Sequence, residues 1–180
     1  ALGRPGPLNM FPEFVARRKT PSRVKFLHPE LENILGETYG LILYQEQVML
    51  IAHRLGGLSL GEADLLRSAL GKGDAEATAK WQRRFVQGAL ANGLDERAAR
   101  QLFSDIAKFS GYAFNKAHSV SYALLTWQAA YLKSNYPREF FITLLNHGGS
   151  GKEREAYLAD AQGLGLKLLG PSVRFSDVDV

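Results

Sequence analysis

Apolar residues recur along this chain every three or four positions, punctuated by proline, glycine and polar clusters, and the pattern predicts helices over most of its length. The stretch around which the rest is arranged, residues 111–136, reads GYAFNKAHSVSYALLTWQAAYLKSNY. From Val120 the apolar positions 120, 123, 124, 127 and 131 mark one helical face, which Leu125 and Leu132 widen. The spacing therefore predicts a core helix buried on more than one side. Asn115 suits its N-cap, with propagation from Lys116. Pro137 forces a stop, because the residue before a proline is pushed out of the helical region. Asn115, Lys116, His118, Ser119 and Ser121 gather at the N-terminal end, where free backbone N–H groups and the helix dipole favour an anion. From Ile106 to Arg138 there are four Lys or Arg residues and no Asp or Glu, so a phosphate would be welcome there.

The remaining elements follow in order. Residues 1–8, with two prolines and two glycines, read as a rigid connecting turn. Asn9–Lys19 predicts a short helix, and Pro29–Leu35 another, with Pro29 near its first position. Tyr39-Gly40 turns the chain, and Leu41–Leu43 is either a strand or a buried connector. Tyr44, Val48, Ile51, Ala52 and Leu55 mark a helix face that stops at Gly56-Gly57. Glu46 in its first turn either complements the dipole or makes a functional contact. Ser59-Leu60-Gly61-Glu62 is a capping box, opening a helix that carries Arg67 and runs to about Leu70. Asp74 caps the next, which turns Trp81, Phe85 and Ala89 inward and Lys80, Arg83, Arg84 and Gln87 along another face. Asp95 caps a helix burying Leu102, Phe103, Ile106 and Phe109. Pro137 restarts a helix with Phe140, Phe141, Leu144 and Leu145; after a glycine loop at 148–151, Lys152–Gln162 forms the last. Leu166–Leu169 reads as extended and Pro171–Val180 as a trailing linker. The sum is a mainly α chain of at least six helices with at most one or two short strands.

Composition narrows the class. The 180 residues are 46% hydrophobic, enough to bury a core. No run approaches the roughly 20 apolar residues of a membrane span, and no signal-peptide pattern is present. The opening Ala1-Leu2-Gly3-Arg4-Pro5 reads as the middle of a longer chain. The lack of cysteine excludes disulfides and thiolate metal sites and suits a reducing cytosol. His28, His53, His118 and His147 show no metal-ligand spacing. A net charge of +4 and a pI near 9.4 point modestly to nucleic acid. Residues 1–25 carry six Lys or Arg and one acid, Glu13. That segment is either a solvated basic face or a patch that follows phosphates.

Catalytic constellations are missing. There is no nucleophile elbow or triad, and Gly71-Lys72-Gly73 lacks the spacing of a phosphate-cradling loop. No cluster of aspartates converges as a two-metal site requires. The residues alone describe a basic helical domain with an anion-ready helix end.

Several long motifs carry more. Tyr39-Gly40-Leu41-Ile42-Leu43-Tyr44-Gln45-Glu46-Gln47-Val48-Met49, then Gly61-Glu62-Ala63-Asp64-Leu65-Leu66-Arg67 with Gly71-Lys72, then Phe114-Asn115-Lys116-Ala117-His118-Ser119 with Tyr122-Ala123, resemble the alpha subunit of bacterial DNA polymerase III. Arg4-Pro5-Gly6-Pro7 and Tyr136-Pro137-Arg138-Glu139-Phe140 extend the likeness, in the same order, over nearly the whole chain. The resemblance implies a multi-helix fingers domain at 28–170. Residues 1–27 would lead in from the palm and 171–180 would trail toward the next domain.

It also implies an activity: template-directed nucleotidyl transfer in the cytoplasm, with template–primer DNA, a deoxynucleoside triphosphate (dNTP) and other replisome subunits as partners. Divalent Mg would be held by palm aspartates outside this chain, which would be inactive alone. Arg67, Lys72, Lys116, His118 and Asn115 would lie at the nucleotide, where cations offset the charge that builds on the transferring phosphates. Arg4, Arg17, Arg18, Lys19 and Tyr112 would face DNA, with Tyr112 or Phe114 stacking on a base. The family's second arginine is replaced by Ser68, and its motif serine by Ala117. Plainer roles compete: a pure cap for Asn115, a core histidine for His118, a solvated lysine for Lys116, an intrahelical partner of Asp64 for Arg67. The expectation is that Arg67 and Lys116 converge on one shallow cleft. A DNA-positioning or partner-docking module with a decayed nucleotide site is the alternative, and a free-standing DNA binder a third reading.

Overall fold

A computed structural model describes residues 2–3, 7–110, 113–170 and 172–174. Nine α-helices are present among them: α1 (Phe11–Lys19), α2 (Pro29–Leu35), α3 (Gln45–Arg54), α4 (Leu60–Lys72), α5 (Ala75–Ala91), α6 (Glu96–Ser110), α7 (Lys116–Asn135), α8 (Pro137–His147) and α9 (Lys152–Gly163). No strand occurs among the described residues. Leu41–Leu43 is a buried connector, and one isolated parallel bridge joins Tyr44 to Phe114. The fold is mainly α, as the periodicity predicts.

The helices start where polar caps stand. Ser59 Oγ accepts the Glu62 N–H at 3.2 Å and the Glu62 carboxylate accepts the Ser59 N–H at 2.8 Å, which completes the box at the head of α4. These bonds hold the Glu62 carboxyl below its ordinary value of 4.5. Asp74 accepts from Ala77 N–H at 3.0 Å and Asp95 from Ala98 N–H at 2.8 Å, capping α5 and α6. Gly73, at φ 70°, closes α4 in the left-handed region that glycine enters without strain.

The chain divides into two compact units, residues 1–119 and 120–180. In the first, α3 packs on α4, α5 on α6, and α2 on α3 around one core. Val48, Ile51, Leu66, Phe85, Phe103 and Ile106 lie at its centre, with Trp81 and Phe109 partly buried against it. α1 belongs to this unit: the Phe14 ring meets Tyr39 edge to face at 5.2 Å. In the second unit Phe141, Leu145 and Ala161 are buried, and Lys133 pairs with Asp160.

One expectation is overturned. α7 is not a core helix; it carries no buried residue, and Tyr122 and Trp127 are 60% and 62% exposed. Periodicity reports a face that wants cover, and burial requires a neighbour to supply it. Its apolar residues at 120, 122, 124, 125, 127, 131 and 132 also spread round the helix instead of forming one stripe.

Backbone approaches backbone closely in the first unit. A Cβ built on Gly88 would lie 1.8 Å from the Gly56 carbonyl oxygen, and one on Gly56 would lie 2.4 Å from the Phe85 ring. Glycine at 88 thus lets α5 rest directly on the turn after α3. Gly88→Ala is expected to cost about 1–3 kcal/mol through overpacking, lowering Tm by several degrees. Gly61→Ala, where a Cβ meets nothing within 4 Å, should leave Tm unchanged or slightly higher; thermal melts of the two variants check the contrast.

Candidate functional site

Two of the chemistry-bearing motifs, residues 39–49 and 114–119, meet where α3 and α7 begin. Because the connector 41–43 is buried, its backbone polar groups need partners inside the protein. Gln47, 2% exposed and in the first turn of α3, supplies them. Its Oε1 accepts the N–H groups of Leu43 at 2.9 Å and Tyr44 at 3.0 Å. Its Nε2 donates to the Thr38 hydroxyl at 2.9 Å and the Ile34 carbonyl at 3.4 Å. The buried Thr38 oxygen lies 2.6 Å from the Leu41 carbonyl and 3.1 Å from that of Leu35, its single proton serving one of them at a time. Tyr39 follows at φ 53°, an uncommon conformation outside glycine. Its carbonyl accepts from Arg17 Nη1 at 3.1 Å.

The same connector receives the second motif. Phe114 N–H donates to the Leu43 carbonyl at 3.1 Å, and Gln45 N–H to the Phe114 carbonyl at 3.0 Å. This bridge delivers Asn115 and Lys116 to the head of α3. Asn115 caps α7, its Oδ1 accepting the His118 N–H at 2.7 Å. The Glu46 carboxylate straddles the Lys116 N–H, 3.0 Å from each oxygen. Glu46 therefore makes a tertiary contact beyond its place in the first turn of α3. Two of the N–H groups that looked open to an outside anion already face acceptors of the chain's own.

The Lys116 ammonium is partnered as well, lying 2.6 and 2.7 Å from the two oxygens of Glu37 and 5.8 Å from the Tyr44 ring centroid. The Glu37 hydrogen bond foremost, against some desolvation, holds Lys116 above the ordinary lysine value of 10.5. A raised folded value means that the pair's contribution is fully present below that ordinary value and is lost only as pH climbs through the folded one. Lys116 is thus a cation throughout the physiological range. With its side chains 40% and 48% exposed, the pair is a modest stabiliser.

The other candidates are placed as follows. His118 is exposed and meets the half-buried Phe114 ring edge to face at 5.1 Å, so it is not a core histidine. Arg67 pairs within α4, its Nε 2.9 Å and Nη2 2.8 Å from Asp64 Oδ1, with half-buried Ser68 beside it. Lys72 is exposed at the end of α4. A cavity of about 260 Å³ beside Lys116 includes Arg54, Glu37 and Glu46 in its lining but not Arg67. The expected convergence of Arg67 and Lys116 finds no support among the described contacts. Arg17 bonds Glu13 at 2.7 Å besides the Tyr39 carbonyl, whereas Arg18 and Lys19 are exposed. Arg4 and Tyr112 lie outside the described residues. Among the described residues no three His, Asp or Glu side chains gather as metal ligands.

Glu37, Thr38 and Gln47 were not singled out from the sequence. Gln47 had a signal, standing three residues after the helix-opening Tyr44 as the back-reaching member of a capping box does. Glu37 had none, being 79 residues from Lys116.

Comparisons with known proteins bear on what this arrangement serves. The family model for the bacterial DNA polymerase III alpha subunit finger domain matches residues 1–93. The DNA polymerase III subunit alpha of Halalkalibacterium halodurans is 41% identical over 179 residues, 99% of this chain and 16% of that protein. The proteins of the same name from Borreliella burgdorferi and Rickettsia prowazekii are 41% and 42% identical over 98% of the chain. The chain spans about 15% of each of those two.

Replacing Gln47 by Leu keeps its bulk but orphans the Leu43 and Tyr44 N–H groups, at a cost of about 1–3 kcal/mol for each one left buried and unpaired. Glu46→Ala removes only the acceptor at the head of α7 and should cost about 1 kcal/mol. Denaturant unfolding of the two variants should rank them in that order, and equal losses would contradict the role given to Gln47.

Proposed function

The chain belongs to the bacterial DNA polymerase III alpha subunit finger family, and from that premise we propose that it holds the triphosphate of an incoming dNTP, beside template–primer DNA, during template-directed DNA synthesis. The observation that carries the reading is the junction of two family motifs: residues 39–49 and 114–119 come together at the Tyr44–Phe114 bridge, with Lys116 at its edge. The third motif, on α4, packs against α3. Cationic groups suit the task because charge spreads over the phosphoryl oxygens in the transition state, and a positioned ammonium or guanidinium offsets it without reorganising.

In this reading Lys116 and Arg67 contact phosphate, Lys72 adds charge, and His118 makes a polar contact near the nucleotide. Asn115 holds the head of α7 in register. Exposed Arg18 and Lys19, with Arg17, face the DNA backbone, which any sequence presents alike; Arg4 joins that set, and Tyr112 stacks on a base. The divalent Mg of the reaction is assigned to the palm, outside this chain. Glu37 and Glu46 do not fit as its ligands, since they belong to no cluster of three His, Asp or Glu side chains among the described residues, and the Lys116 N–H already occupies Glu46. No described helix is long and apolar enough to cross a membrane. In the same reading the chain works in the cytoplasm among other replisome subunits.

A second reading has its own support: Arg67 is turned to Asp64 and its neighbour is Ser68, as befits a docking module whose nucleotide grip has decayed. Steady-state kinetics on the polymerase that carries this sequence separates the two. Lys116→Ala or Arg67→Ala is expected to raise the KM for dNTP or lower kcat at least about tenfold, the loss of roughly 1.4 kcal/mol or more of transition-state binding. Unchanged kinetics in both variants favours docking.

A further inference from the structure

The ammonium on which the nucleotide reading turns is already in use. Both oxygens of Glu37 lie within 2.7 Å of Lys116 Nζ, and Glu46 sits on the N–H of the same residue. One residue is thus held by carboxylates from two elements, its ammonium by the 3-10 turn Gly36–Thr38 and its backbone N–H by the head of α3. The charged lining of the adjoining cavity is Glu37, Glu46, Arg54 and Lys116, two anions and two cations, formally neutral. Arg54 is committed in turn to Glu30, 3.2 Å away. At about 260 Å³ the cavity falls below the roughly 300–1,000 Å³ of sites that enclose whole ligands. It suits a single phosphate group, with the rest of a nucleotide outside.

An arriving phosphate therefore meets no net positive charge until one of the chain's own carboxylates lets go. Glu46 is held by a backbone N–H, which cannot swing aside. Glu37 is held by a flexible lysine head, and at 48% side-chain exposure it can turn into water. Resting on the nucleotide reading of Lys116 given above, we propose that Glu37 is an internal competitor: its carboxylate occupies the Lys116 ammonium in the nucleotide-free state, and a phosphate group of the triphosphate displaces it. The exchange is favourable because a triphosphate carries more charge than a carboxylate and forms correspondingly stronger charge-assisted bonds. An ion pair as exposed as this one opposes it only weakly. The Glu37 hydrogen bond foremost holds Lys116 above its ordinary value, as a resting pair requires.

The test is dNTP binding by Glu37→Gln, measured by single-turnover titration of the polymerase that carries this sequence, with thermal melts alongside. Removing the competitor should tighten the apparent Kd about two- to five-fold, the range an exposed ion pair can contribute. Lys116→Ala should weaken it about tenfold or more, and adding Glu37→Gln to Lys116→Ala should change nothing further. If Lys116→Ala weakens binding while Glu37→Gln leaves it equal or weaker, the competitor idea is wrong and Glu37 is a bystander or a positioning residue. If Lys116→Ala has no effect, the nucleotide reading itself fails. Should the Gln variant melt early, Glu37→Asp, which withdraws the carboxylate by one methylene, must still tighten binding for the proposal to stand.

Discussion

A buried stretch of backbone with no sheet or helix to satisfy it is the constraint from which the first unit is built. Leu41, Ile42 and Leu43 are drawn inside by their side chains, yet their amides and carbonyls are as polar as any others. Gln47 answers this with one side chain that both accepts and donates, tying the connector to Ile34 and Thr38. Phe114 answers from the other side. An amide suits this place because it offers two kinds of group within one planar head; a carboxylate there would have no donor for the Thr38 hydroxyl and the Ile34 carbonyl.

Satisfying that connector has an electrostatic consequence. Once Phe114 is bonded to Leu43, the next two residues must lie at the head of α3, which brings a lysine into the reach of Glu37 and Glu46. The anion-friendly end of α7 is then filled from within, by a side chain on its first N–H and by its own cap on the third. A helix N-terminus favours negative charge, and that rule is obeyed here by the chain's own acids. Whether such an end serves a ligand depends on how firmly these acids are held, and Glu37 and Glu46 differ in that respect.

The two units contrast in how they treat apolar residues. In the first, glycines at 56 and 88 allow backbone to touch backbone, and large side chains such as Phe85 and Phe103 fill the centre. In the second, α8 and α9 bury Phe141, Leu145 and Ala161, while the apolar residues of α7 stay exposed. Hydrophobic content alone did not distinguish these cases, since 46% of the chain is apolar and both units share in it.

Local physics was legible in the chain by itself. The caps at Ser59, Asp74, Asp95 and Asn115, the breaks at Gly56-Gly57 and Pro137, and the mainly α class all follow from interactions within a few residues, which a sequence states directly. The order of the long motifs carried the family. What the tertiary structure alone decided was partnership across distance: Glu37 with Lys116, Gln47 with the 34–44 segment, and Gly88 against Gly56. Spacing along a helix says which way a side chain faces. It says nothing of what stands opposite, and in this protein what stands opposite decides which charges are spent and which remain to bind.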